Sequence, residues 1–218
     1  MAKRILITSG PTREPLDPVR FLSNASTGRM GAAMAEAVLK WGFHVTIVSG
    51  PVSTAYPTRA KVLPVTTTRE MLDAARDVFA TPDCIGVIGA AAPCDFRPVT
   101  VAAHKIRKNH DGTPVTLEFV ETPDILADLG DIKRSDQRIV GFALESESHV
   151  GAGLAHAIEK LRRKRCDLLV LNAPSSIGAE RTEVTLLGAE GMVLHRLSGT
   201  KRQIAEIVVR EVFGSTNV

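Results

Sequence analysis

Residues 4–31 read Arg4-Ile-Leu-Ile-Thr-Ser-Gly-Pro-Thr-Arg13, then Glu14-Pro-Leu-Asp17-Pro-Val-Arg20-Phe-Leu-Ser-Asn24-Ala-Ser-Thr-Gly28-Arg-Met-Gly31. Ile5 to Thr8 is an apolar run of the kind that forms a strand buried on both faces. A Gly10-Pro11 turn ends it. A helix opens near Gly28. Its apolar stripe is Met30, Ala33, Met34, Ala37, Val38 and Trp41, and Gly42 closes it. Strand, turn and helix make the first unit of a nucleotide-binding α/β fold, but the link is unusual. A dinucleotide enzyme joins the two with Gly-x-Gly-x-x-Gly in a few residues. Here roughly a score of residues intervene, and loops of that length in compact domains are usually functional. The loop carries Asp17, Arg20, Ser23, Asn24, Ser26 and Thr27.

The same alternation continues outward. Short runs rich in Val, Ile and Leu predict strands at 4–8, 44–49, 61–65, 84–90, 138–144 and 167–172. Helical stripes lie between them: Met71, Leu72, Ala75 and Phe79; then Val150, Leu154, Ala157, Ile158 and Leu161. A last helix over about 200–213 carries Ile204, Ile207, Val208 and Val212. Two segments break the rhythm. Residues 102–121 are polar and then β-like from Val115 to Val120. Residues 182–197 read as a hairpin, Glu183–Leu187 and Met192–His195, turned at Ala189-Glu-Gly191. No internal repeat or low-complexity linker divides the chain. The expected architecture is α/β: one domain over 1–218, a doubly wound, Rossmann-like, mostly parallel sheet with an inserted β-flap at about 97–121 and a C-terminal hairpin. Ligands then belong beyond the carboxyl ends of the strands.

Composition agrees. Of 218 residues, 44% are hydrophobic but only 4% aromatic, so the core must be aliphatic, as in a parallel sheet. A net charge of +3 is too small to argue for nucleic acid without a basic patch and a motif, but suits an anionic small molecule. Cys84, Cys94 and Cys166 lack metal-type spacing. Cys84 and Cys166 begin apolar runs and read as buried thiols of a reducing compartment. No apolar stretch approaches the roughly 18 residues needed to span a bilayer, and the N-terminus runs straight into a strand without a signal peptide. The expectation is a cytoplasmic protein with no membrane or nucleic-acid partner.

Four motifs carry chemistry. In the 9–31 loop, Gly10 permits close backbone approach. Amides near Gly28 can hold an anion at a helix start, and Asn24 offers both a donor and an acceptor. Asn24 and Thr27 equally suit turns and caps. Gly89-Ala90-Ala91-Ala92-Pro-Cys94-Asp95 ends the fourth strand. Its small residues let a flat base lie on backbone, and Asp95 can accept from ribose hydroxyls or start a helix. His104-Lys105-Ile-Arg107-Lys108 clusters cations that suit a triphosphate, or a solvated face. Last come Gly141-Phe142-Ala-Leu-Glu145, and Lys160 with Lys164 four residues apart on one helix face. Those lysines also suit a helix C-terminus.

Taken together, the motifs resemble phosphopantothenoylcysteine synthetase, the second half of the bifunctional coenzyme A biosynthesis protein of many bacteria. The resemblance spans nearly the whole chain. It implies a ligase that activates 4′-phosphopantothenate with CTP as an acyl-cytidylate and couples it to L-cysteine. Asn24 then holds the acyl-nucleotide, and Lys105 resembles the catalytic lysine. Gly10, Gly89, Ala90, Ala91, Asp95, Phe142, Lys160 and Lys164 would bind the nucleotide. Arg20, Ser26, Thr27 and Gly28, with Asn24, would bind the acyl substrate. Mg²⁺ or Mn²⁺ would ride mainly on the phosphates, and no flavin is expected. The family implies a homodimer whose flap covers the neighbour's site, and a separate flavin-dependent decarboxylase as a possible partner. Departures are Pro93-Cys94, Arg107, Asn172-Ala-Pro174 and the segment 178–183. Two alternatives stay open. An NAD(P)-dependent reductase lacks its glycine fingerprint and a Tyr-x-x-x-Lys pair here, Tyr56 being the sole tyrosine. A non-enzymatic nucleotide-binding module of Rossmann type would need no catalytic lysine.

Overall fold

The computed structural model describes residues 3–144, 150–172 and 179–214. Glu145, Ala173-Pro174 and Gly178 of the motifs above lie outside the described residues. In chain order the elements begin β1 (Arg4–Ser9), β2 (Arg13–Pro15), β3 (Phe21–Ser23), α1 (Arg29–Lys40), β4 (His44–Ser49), β5 (Lys61–Pro64), α2 (Thr68–Phe79) and β6 (Cys84–Gly89). They continue with β7 (Phe96–Pro98), β8 (Phe119–Glu121), α3 (Ile125–Asp131), β9 (Arg138–Leu144), α4 (Val150–Arg163), β10 (Leu168–Asn172), β11 (Arg181–Gly188), β12 (Val193–Thr200) and α5 (Lys201–Phe213).

One eight-stranded sheet runs β12-β11-β10-β9-β6-β1-β4-β5. Its six strands from β5 to β10 are parallel, and β11 and β12 add on antiparallel. The chain starts in the middle with β1, winds out through β4 and β5, then returns to build the other half from β6. Neighbouring loops therefore diverge at the carboxyl ends of β1 and β6, where such sheets leave a crevice. Strand residues alternate between two cores. Ile5 and Ile7 face α1 and α5, and Leu6 faces α2, α3 and α4. This is the doubly wound arrangement, with helices on both faces.

Small residues set how closely helix and strand approach. A Cβ on Gly31 would lie 2.0 Å from Ser9 Oγ, so α1 is drawn onto β1 at its first turn. α2 carries a capping box, Thr67 with Glu70. The remote Glu14 carboxylate also accepts from Thr68 N at 2.7 Å, tying β2 to the helix start.

All six expected parallel strands and the four expected helices form. Four differences stand out. The 9–28 loop folds a short hairpin, β2 paired with β3, too brief to read by alternation. α3 has seven residues, under two turns, and leaves no clear period; its Asp124 cap was its only local sign. Of the β-like run Val115 to Val120 only the end pairs, as β8 on β7, and Val115 and Leu117 lie in irregular, exposed chain. The C-terminal hairpin is longer than expected, eight residues a strand. Among the described residues no helix is long and apolar enough to cross a membrane.

Candidate functional site

A cavity of about 410 Å³ opens at the divergence of β1 and β6. Residues 24–30, leading into α1, form one wall. Residues 90–92 and Asp95, after β6, form the facing wall. Phe142 and Leu144 of β9 and Asn172 of β10 line the side, and Lys201 of α5 closes one end. The volume falls within the usual range for small-molecule sites.

Backbone bonds place the two walls. Ala90 N donates to Thr8 O and Ala92 N to Gly10 O, at 3.0 and 2.9 Å, so the 90–92 loop continues along the end of β1. Gly10 sits at φ +76, in the left-handed region that glycine enters freely, and so turns the chain there. Below, Thr12 Oγ1 accepts from Cys94 N at 2.8 Å, and Thr68 Oγ1 donates to Cys94 O at 3.3 Å. Pro93-Cys94, a departure from the family pattern, is thus held by a buried hydroxyl network. On the other wall, Thr54 Oγ1 donates to Thr27 O at 2.6 Å, and Ser9 Oγ to Gly28 O at 3.3 Å.

Asn24 joins the walls. Its Nδ2 donates to Ala92 O at 3.2 Å and Pro93 O at 2.8 Å. Both amide hydrogens thus latch the loops together, and donating one to a ligand means exchanging a carbonyl partner. Gly28 caps α1 at φ +76 with no side-chain cap bond, so the first amides of α1 border the cavity without a capping side chain.

The structure gathers Asn24, Ser26, Thr27, Gly28, Ala90, Ala91, Asp95 and Phe142 around this one cavity. Six other sequence candidates lie off its walls. Gly10 and Gly89 act from behind. A Cβ on Gly89 would meet Leu126 at 2.6 Å, so that glycine admits α3. Arg20 pairs with the buried Asp17 carboxylate at 2.7 Å and donates to Ile106 O. Asp17 also accepts from Ile106 N at 3.1 Å, which moors the flap beside Lys105. Lys105 itself is exposed on that flap. Lys164 pairs with Asp124 at 3.1 Å, at the start of α3, and Lys160 stands on α4 away from the cavity lining.

Lys201 and Arg29 are cavity residues that the sequence reading missed. Each is the first residue of its helix, where a cation opposes the helix dipole. That mismatch was the one local signal available. Burial, and then the Arg29 charge, push the Lys201 ammonium below its ordinary range. Among the described residues no group of three or more His, Cys, Asp or Glu assembles as a metal site. Asp95 is the sole carboxylate among the described lining residues.

The pattern of the DNA/pantothenate metabolism flavoprotein C-terminal domain matches residues 1–215. The chain belongs to that family. It is 36% identical over 215 residues to a cysteine/cysteine sulfinic acid decarboxylase of an unknown prokaryotic organism, covering 96% of this chain and 58% of that protein. It is 42% identical over 195 residues to the coenzyme A biosynthesis bifunctional protein CoaBC of Bacillus subtilis (strain 168), covering 87% of this chain and 46% of that one. The chain thus spans about half the length of the curated relatives it matches. The crystal structure of the C-terminal domain of a CoaBC protein superposes with a TM-score of 0.78 at 34% identity, covering 96% of this chain and 93% of that domain. Family members therefore share the domain across differently named whole proteins.

Proposed function

We propose that this chain is a phosphopantothenate–cysteine ligase that uses CTP. One observation carries the reading: Asn24 sits where the 24–28 wall meets the 90–95 wall, inside a cavity at the divergence of the sheet. The likeness to the C-terminal domain of CoaBC supports it. In the first step a carboxylate oxygen of 4′-phosphopantothenate attacks the α-phosphorus of CTP. The O–P bond forms, the Pα–O–Pβ bond breaks, and pyrophosphate leaves. In the second, the amine of L-cysteine attacks the acyl carbon, loses a proton to solvent, and expels CMP.

Residues take roles by position. The backbone at Ala90 and Ala91, with Phe142, offers a flat slot for the cytosine, and Asp95 an acceptor for ribose hydroxyls. Asn24, Ser26, Thr27 and Gly28 face the acyl end. Arg20 orders the hairpin, and Lys105 rides on the flap it helps to moor. A divalent cation, Mg²⁺ or Mn²⁺, would be carried on the phosphates with at most Asp95 from the described lining; it supplies charge neutralisation.

The proposal includes a homodimer. Val19, Phe21, Phe96, Val115 and Phe119, on the hairpin, β7, β8 and the chain between, all stand exposed. An apolar surface of that kind suits a protein interface. A compartment of coenzyme A synthesis, the cytoplasm, fits three free buried thiols.

The test is pyrophosphate release on mixing the protein with CTP, Mg²⁺, 4′-phosphopantothenate and L-cysteine, with ATP in parallel. Release that requires phosphopantothenate, with kcat/KM higher for CTP, is expected, since a site bonding one base edge rejects another strongly. Absence of release with either nucleotide overturns the ligase, and equal use of both overturns the base reading.

A further inference from the structure

The geometry points to Lys201 and Arg29 as the phosphate-binding end of the cavity, gripping a phosphate anion between the starts of α5 and α1. The inference rests on the ligase reading for the identity of the ligand, and on the cavity alone for its charge.

The chain converges on this end from its two extremities. α1 follows the 24–28 loop, and α5 follows the C-terminal hairpin; the two pack side by side on one face of the sheet. Arg29 and Lys201, their first residues, both line the cavity, together with Gly28 and Met30. Two cations there are held at a cost. Each opposes its helix dipole. Each repels the other, and Lys201 is half-buried. Two other helices follow the ordinary rule: α2 has Glu70 in its first turn and α3 has Asp128, and neither lines the cavity; α4 has no acid in its first turn. α1 and α5 have no acid in the first turn. A bound phosphate reverses all of these terms at once. It neutralises the cation pair and completes the N-terminus of α1.

The shared ligand chemistry is a phosphate group, and two sources can bring it: the triphosphate of the nucleotide or the phosphomonoester of the acyl substrate. Three variants separate them. Lys201→Gln keeps an N–H donor for its present partner, Ala179 O, but removes the charge. Lys201→Arg keeps the charge. Lys40→Gln removes a charge from the far end of α1, where Lys40 pairs with Glu206. Binding is measured by calorimetry for inorganic tripolyphosphate, CTP, cytidine and 4′-phosphopantothenate.

Lys201→Gln is expected to weaken at least one phosphate-bearing ligand by roughly tenfold or more, the scale of a lost charged hydrogen bond. Cytidine binding should not change, and Lys201→Arg and Lys40→Gln should stay near wild type. Loss for CTP and tripolyphosphate assigns the triphosphate; loss for 4′-phosphopantothenate alone assigns the phosphomonoester. Melting is the second readout. Without ligand, Lys201→Gln should melt no lower than wild type, because a repulsive cation is gone; a residue with a merely structural role would lower it. Unchanged affinity for every phosphate ligand, or no phosphate binding by wild type, overturns the inference. Lys201-dependent tripolyphosphate binding in a protein that releases no pyrophosphate from CTP would leave the inference standing and sink the ligase reading instead.

Discussion

Asn24 holds two carbonyls with one amide, so its charge state matters more than its size. Asn24→Asp exchanges a double donor for an acceptor facing the oxygens of Ala92 and Pro93. The walls should part and the adduct should be repelled. Turnover should fall roughly 10²-fold or more, as when a transition-state donor is lost, read as pyrophosphate release. A mutant close to wild type would remove Asn24 from the chemistry. Gly50 gives a stability counterpart. A Cβ there would lie 1.6 Å from Pro11 O, a clash with backbone. Gly50→Ala should cost about 3 kcal/mol or more in chemical denaturation, since rigid overpacking has no cheap escape. The thiols test burial. Desolvation pushes Cys166 up to about 12, and Cys84 and Cys94 also upward, so the native protein should resist alkylation at pH 8 and label fully once denatured. Labelling of any of the three in the native state would contradict its burial. At this scale the sequence was readable where a wall is one contiguous motif, as with 24–28 or Ala90 to Asp95. Lys201 escaped because its place depends on two helices from opposite ends of the chain meeting, which no local pattern encodes.

Elements were readable by length and period. The long stripes of α1, α2, α4 and α5 and the aliphatic strands were plain, whereas three-residue strands and the short α3 carry too few positions to repeat. The flap was misjudged in part for a physical reason: alternation at Val115, Leu117 and Phe119 signals a face awaiting cover, and in this chain that face stays exposed. What orders the flap is instead Asp17. Burial would raise its carboxyl, but N–H groups of Val19, Ile106 and Arg20 outweigh that and lower it from 3.8 to about 2. The sign follows from linkage. A depressed folded value means the mooring is complete above 3.8 and is lost as pH falls through about 2. Amide exchange at residues 104–108 should therefore quicken, relative to its intrinsic acid rate, over that window while the emission of Trp41 stays native; an unchanged ratio would count against the mooring. Lys105→Gln tests the flap's cargo. Melting should move little, since exposed substitutions fall within ~0.5 kcal/mol, while acyl-nucleotide formation in a single turnover should slow roughly 10²-fold. Early melting with a normal first step would make Lys105 structural.

At the scale of the molecule, the strand order is what makes the cavity. A sheet begun at its centre must open at its centre, and the loops after β1 and β6 supply the walls wherever the flanking helices fall. The fold class was legible because alternating strand and helix periods admit few topologies. The site's end wall was not, because it belongs to a helix that follows the antiparallel hairpin. A ligand that binds only the folded state should stabilise the whole sheet. CTP at a hundredfold over its Kd adds about 2.7 kcal/mol, or a rise of about 5–10 °C in Tm for a chain of this size. Cytidine should give far less, and an equal shift with NAD would favour the reductase. The docking of α5 on α1 also has a consequence for synthesis. A chain leaving the ribosome exposes Asn24, the 90–95 loop and Phe142 long before Lys201 emerges. Until α5 arrives, α1 keeps an uncovered apolar flank and the cavity lacks Lys201. Assembly of the sheet can thus run ahead of competence to hold an anion, which under the proposed function waits for α5 to dock.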